Sequence, residues 1–167
     1  MTEINEALAR KVLETVDAGL SKFRGIPQPG FMCVEAAVTY AMGENFSDYP
    51  SCVERNLRDF KIGLNDRDGW IDKAGRAAGL RRISIAQLGS AGVLDWSQFC
   101  KDLGGNLGCP ISPSTDSVVS WIANKKYNVN GFALTQNQLK EIAEAAVQAL
   151  IKQDIPGTRF LYLTESK

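Results

Sequence analysis

The stretch PQPGFMCVEAAVTYAMG, residues 27–43, places a thiol and a carboxylate within three residues of each other. Cys33 follows a Pro-Gly loop where a helix begins. Unpaired N–H groups at a helix start lower the pKa of a thiol, and Arg24 is close enough in sequence to add to that effect. Glu35 is the only acid on a segment that is otherwise apolar on nearly every side. A carboxylate in such a place must be paired or must hold its proton more tightly than usual. It would serve as a general acid or as an anchor for a cationic ligand. The structural alternatives are a complement to the positive helix start or a partner for one of the arginines. Free cysteine is among the most buried residue types, so Cys33 reads as core, and Glu35 reads as filling one of these two structural roles.

The chain contains no histidine. That removes Ser-His and Cys-His nucleophiles, histidine-bearing zinc and iron sites, and imidazole proton shuttles. PGFMCVEAAV resembles the loop and cysteine helix of papain-like peptidases, but the base that family requires is missing. The four cysteines, Cys33, Cys52, Cys100 and Cys109, contain no C-x-x-C spacing, and no metal or cofactor is expected. NDRDG suggests a calcium loop. With Gly69 at the sixth position, however, Leu64 and Gly75 occupy the first and twelfth, where oxygen ligands belong. These exclusions argue against an enzyme. The one catalytic alternative left would be built on Glu35 and the arginines of residues 67–82.

Arg67, Lys73, Arg76, Arg81 and Arg82 surround Trp70 in sequence. Guanidinium groups beside an indole can clamp a phosphate and stack a base, so Trp70, Lys73, Arg76, Arg81, Arg82 and Glu35 form the candidate site for a small anionic ligand. The competing reading is a solvated helix face with internal ion pairs. DWSQFCKDLGG followed by ISPSTDSVVSWIANKK resembles a phage-repressor helix-turn-helix. That likeness implies Ser114, Thr115, Ser117 and Ser120 facing the major groove, with Lys125 and Lys126 on phosphates. GNLGCP makes the turn longer than the motif allows.

The elements that must position these residues read as helices. Ile4, Leu8, Val12, Val16, Leu20 and Phe23 make an amphipathic stripe over residues 2–23, closed by RGIPQPG. Residues 32–42 form a buried central helix ending at Gly43. Ser51 and Glu54 have capping-box spacing ahead of Val53, Leu57 and Phe60. A short helix over 70–78 should stop at Gly79, and RRISIAQLGSAG is ambiguous between strand and helix. Asp95 with Gln98 starts a helix carrying Trp96, Phe99, Cys100 and Leu103, ended by Gly104-Gly105. A helix over 114–126 buries Val118, Val119 and Ile122. Thr135 and Gln138 box the last helix, with Leu134 placed to staple Leu139. RFLYL, within residues 158–163, alternates like one short strand. The expected fold is all-α: a compact single domain over 1–167, a bundle of six to eight helices with a short C-terminal strand.

PGFMCVEAAVTYAMG, DYPSCV, KIGLND and GLRRISIAQLGSAG together resemble an uncharacterised bacterial and prophage protein family, across roughly residues 25–92. The likeness carries no activity and implies a bacterial or phage setting. Lys+Arg and Asp+Glu are both 19, giving zero net charge, which disfavours a broad field for nucleic acid. MTEINEALARK has no apolar signal core, and no apolar run nears the roughly 20 residues a bilayer needs. The expectation is a cytoplasmic, non-catalytic binding protein, a bacterial or phage-encoded modulator that takes a protein partner or a small anionic ligand. DNA binding through residues 95–126 is the second reading and the Glu35 enzyme the third. The C-terminal strand offers an edge for a homodimer.

Overall fold

A computed structural model describes residues 3–165. Its α-helices are α1 (Glu6–Asp17), α2 (Val34–Met42), α3 (Arg55–Asn65), α4 (Lys73–Ala86), α5 (Trp96–Leu107), α6 (Val118–Lys125) and α7 (Gln136–Lys152), with 3-10 segments at Gly131–Ala133 and Pro156–Thr164. The fold is all-α, as the hydrophobic periodicity indicates. Among the described residues the extended pairing amounts to an isolated bridge between Gly25 and Met32. Most helix starts are set by a side-chain acceptor that satisfies a free N–H of the first turn. Asn5, Asp72, Asp95 and Ser117 cap α1, α4, α5 and α6 in this way. Thr135 and Gln138 form a complete reciprocal capping box on α7.

The helix expected over residues 2–23 is shorter, Glu6–Asp17, with Leu20 and Phe23 beyond it, and that expected over 114–126 begins at Val118 after its Ser117 cap; three further boundaries differ for a packing reason. Glu54, not Ser51, caps α3, because the Ser51 hydroxyl is engaged with the Glu44 carboxylate. The ambiguous RRISIA segment is the second half of α4, which runs through Gly79 without a break. Trp70 explains this: a Cβ on Gly79 would sit 2.2 Å from the indole Cζ3. The glycine is there to admit a ring, not to end a helix. Likewise α5 continues past Gly104 and Gly105 to a left-handed cap at Gly108, and Gly104 lies where a Cβ would come within 2.6 Å of the Cys109 carbonyl.

Helix α4 is the hub. It packs on α1, α2, α7 and the C-terminal 3-10 helix, while α5 closes against α7. One contiguous core runs through all seven helices, from Leu8 and Val12 to Leu150 and Leu163.

The C-terminal segment corrects the strand reading. Pro156–Thr164 is a 3-10 helix started by Pro156 in its first turn, where a missing N–H costs nothing. Thr158 and Thr164 donate their hydroxyls to carbonyls three residues back, and Arg81 donates to the Thr164 carbonyl. Leu161 and Leu163 are buried against the body of the protein. Residues 158–163 therefore expose no strand edge, and the homodimer expected through that edge loses its basis.

Candidate functional site

Glu35 is paired, with Lys61 rather than with an arginine. Lys61 Nζ donates to Glu35 Oε1 at 3.0 Å and Gln87 Nε2 donates to the same oxygen at 2.7 Å. All three side chains are wholly buried. Burial pushes the Lys61 ammonium below its ordinary value, with the Glu35 carboxylate opposing it. Glu35 Oε2 and Gln87 Oε1 have no hydrogen-bond partner among the described residues. Sequence reasoning missed Lys61, although it lies on the same helical face as Leu57, Phe60 and Leu64, a position that points inward. Nothing in this trio faces solvent, so no substrate reaches it without the core opening.

Cys33 is the N-cap of α2, its Sγ accepting from the Ala36 N–H at 3.4 Å. It is 2% exposed, and burial pushes its thiol from the ordinary 9.0 up to about 12. The burial outweighs the helix start, and the thiol is held in its unreactive form.

The basic cluster of residues 67–82 does not converge on one face. Trp70 is buried, its indole N–H donating to the Leu64 carbonyl. Arg76 is also buried and donates to the carbonyls of Asn65, Leu20 and Arg67. It thus ties the α1–α2 loop to the α3–α4 turn. Arg81 forks onto Asp17 and Arg82 onto Glu144. Of the six candidates, Lys73 alone is an exposed cation without a carboxylate partner among the described residues, and it lies 3.9 Å over the Phe31 ring. Asp66 and Asp68, from the NDRDG turn, take the Phe23 N–H and the Lys22 ammonium.

The serines of the second segment are placed as structural groups. Ser117 caps α6, Ser120 accepts from Arg67, and Ser114 pairs with Ser112. Thr115 lines a small cleft with Asp59 and Asp116, which sets acidic groups beside the residues expected to face DNA. α6 packs on α3, and a loop of residues 109–117 separates it from α5. Lys125 and Lys126 are exposed, each over an aromatic ring, Trp121 and Tyr127.

A surface that the sequence did not single out stands at the opposite end of the Arg76 tie. Residues 23–29 are all exposed and project as a tight turn. The turn is closed by Ile26 N–H to the Phe31 carbonyl at 3.0 Å and Phe31 N–H to the Gln28 carbonyl at 2.9 Å, and stiffened by Pro27 and Pro29. Phe23 sits at φ +64°, a left-handed backbone that a bulky residue rarely adopts. Its N–H is held there by Asp66 at 2.9 Å. The turn displays Phe23, Ile26 and Phe31 at 63, 54 and 44% exposure, and the neighbouring loops add Ile71 at 78% and Phe132 at 72%. Lys73, two residues from Ile71, takes the Leu20 N–H on its carbonyl and lies over the Phe31 ring, and Arg67 lies over the Phe132 ring.

No helix among the described residues is long and apolar enough to cross a membrane. No protein-family model, curated protein or solved structure matches the chain.

Proposed function

We propose that this is a non-catalytic binding protein, a bacterial or phage-encoded modulator that docks a protein partner on the surface built by residues 23–31 with Ile71 and Phe132. The observation that supports this reading is the rigid turn that holds Phe23, Ile26 and Phe31 in water. Exposed apolar groups scattered singly need no explanation, but three on one pre-organised loop match the anchors of protein interfaces. A stiff turn loses little conformational entropy on docking, so more of its contact energy is kept as affinity. The small-anion reading has less support, because Arg76 donates to buried backbone carbonyls and Arg81 and Arg82 are already paired with Asp17 and Glu144.

The test compares the wild-type protein with a Phe23→Asn/Ile26→Ser/Phe31→Ser variant as bait in bacterial lysate. Proteins retained by the wild type alone are then purified and titrated against both. Asparagine tolerates the left-handed backbone at position 23, so the variant keeps its fold. The reading expects a partner whose affinity drops at least about tenfold in the variant, or roughly 1.4 kcal/mol. Equal retention by both baits removes this surface as the binding site.

A further inference from the structure

We infer that the segment docking here is an acidic stretch of protein chain with apolar side chains interspersed. This rests on the docking surface proposed above and adds the chemistry of what it takes. Three cations border the exposed apolar groups: Arg24, Arg67 and Lys73. Each stands over an aromatic ring, Phe46 at 5.5 Å, Phe132 at 5.8 Å and Phe31 at 3.9 Å. None has a carboxylate within ion-pair distance among the described residues.

On other faces Arg10, Arg81, Arg82 and Arg159 each hold a carboxylate, while Lys125 and Lys126 rest over Trp121 and Tyr127 as Lys73 rests over Phe31. The acids nearest the docking surface are already committed. Asp66 accepts from the Phe23 and Asn65 N–H groups, Asp68 holds Lys22, and Asp72 caps α4. Asp68 is thus ion-paired and Asp66 and Asp72 are hydrogen-bonded, Arg67 is held by the Gly63 carbonyl and the Ser120 hydroxyl, and Arg24 and Lys73 keep exposed charges without a carboxylate among the described residues. A cation resting on a ring is also partly pre-positioned, so less freedom is lost when a carboxylate arrives.

A single-stranded nucleic acid would also meet cations and aromatic faces. Ile26 and Ile71 count against it, since the most exposed position of the patch, Ile71, has no ring on which a base could stack. The zero net charge of the chain gives no long-range pull on a polyanion either. Carboxylates spaced by Leu, Ile, Phe or Trp match both halves of the surface: apolar anchors for the isoleucines and phenylalanines, acids for the bordering cations.

The test is a selection of displayed random 12-residue peptides on the full-length protein, counter-selected on the Phe23→Asn/Ile26→Ser/Phe31→Ser variant. The expected pool carries Asp or Glu beside large apolar residues. Its binding weakens about tenfold in Arg24→Glu/Lys73→Glu, where the new carboxylate at position 73 lies in the first turn of α4 and suits the helix start. Exchanging the peptide acids for lysine restores binding to that charge-reversed variant. A neutral or basic pool, or binding indifferent to charge reversal, overturns the acidic chemistry and leaves the docking surface standing. A pool that does not separate wild type from the apolar variant overturns the docking surface itself. A 20-residue oligothymidylate that binds more tightly than the best peptide, and is lost on charge reversal, assigns the surface to nucleic acid instead.

Discussion

Replacing Lys61 with methionine removes one half of a buried ion pair and strands the other. The Glu35 carboxylate then keeps only the Gln87 amide on Oε1, with Oε2 still without a partner among the described residues. Breaking a wholly buried pair from one side costs about 3–5 kcal/mol, because the remaining charge is uncompensated. With a urea m-value of about 1–3 kcal/mol/M, the midpoint of a chemical melt should fall by at least about 1 M. Lys61→Met/Glu35→Gln should behave differently. It removes both charges, leaves an acceptor for Gln87, and puts an amide donor where Glu35 had only acceptors. Replacing a buried ion pair with neutral groups is often close to neutral, so the double variant is expected within about 2 kcal/mol of wild type. A double variant as unstable as the single one would refute the argument, since lost packing of the lysine stem, not stranded charge, would then be the cause.

Two glycines of similar helical setting should respond with opposite sign. Gly79→Ala drives a Cβ into the Trp70 ring and should destabilise by about 1–3 kcal/mol, whereas Gly105→Ala, with nothing within 4 Å, should stabilise by about 0.5–1 kcal/mol; thermal melts of the two proteins decide it. Alkaline pH should weaken the fold through its thiols. Cys33 is raised to about 12 and Cys100 to about 11, in both cases first by burial. Raised folded values mean stability that is complete below the ordinary thiol pKa and lost as pH climbs through the interval up to the folded one, at about 1.4 kcal/mol per pH unit for each thiol. Cys33→Ala/Cys100→Ala should flatten the pH dependence of chemical melts between about pH 8.5 and 10, and an unchanged slope would exclude the thiols as the cause.

The helices were legible because their signals are local. A stripe at three- and four-residue spacing with an acceptor just ahead of it states a helix and its starting point, and α5 and α7 obey that rule. Gly79 and Gly104 misled because a glycine reads as a terminator until the ring or carbonyl that needs its empty space is known, and that neighbour lies outside the helix in both cases, Trp70 just before α4 and Cys109 just after α5. RFLYL misled because alternation over a few residues suits a strand, yet the segment forms its hydrogen bonds within itself and with Arg81. The site was least legible for the same reason. The partner of Glu35 lies 26 residues away and that of Arg81 lies 64 residues away, so composition could count these charges but not pair them. Pairing decides what remains at the surface. Once Glu35 holds Lys61, Asp17 holds Arg81 and the backbone carbonyls hold Arg76, the basic cluster of residues 67–82 no longer supplies a phosphate clamp. The exposed cations Arg24 and Lys73 instead border apolar groups that a proline-stiffened turn holds in water. A residue count could not find that arrangement, because it consists of the charges left over after the fold has used the others.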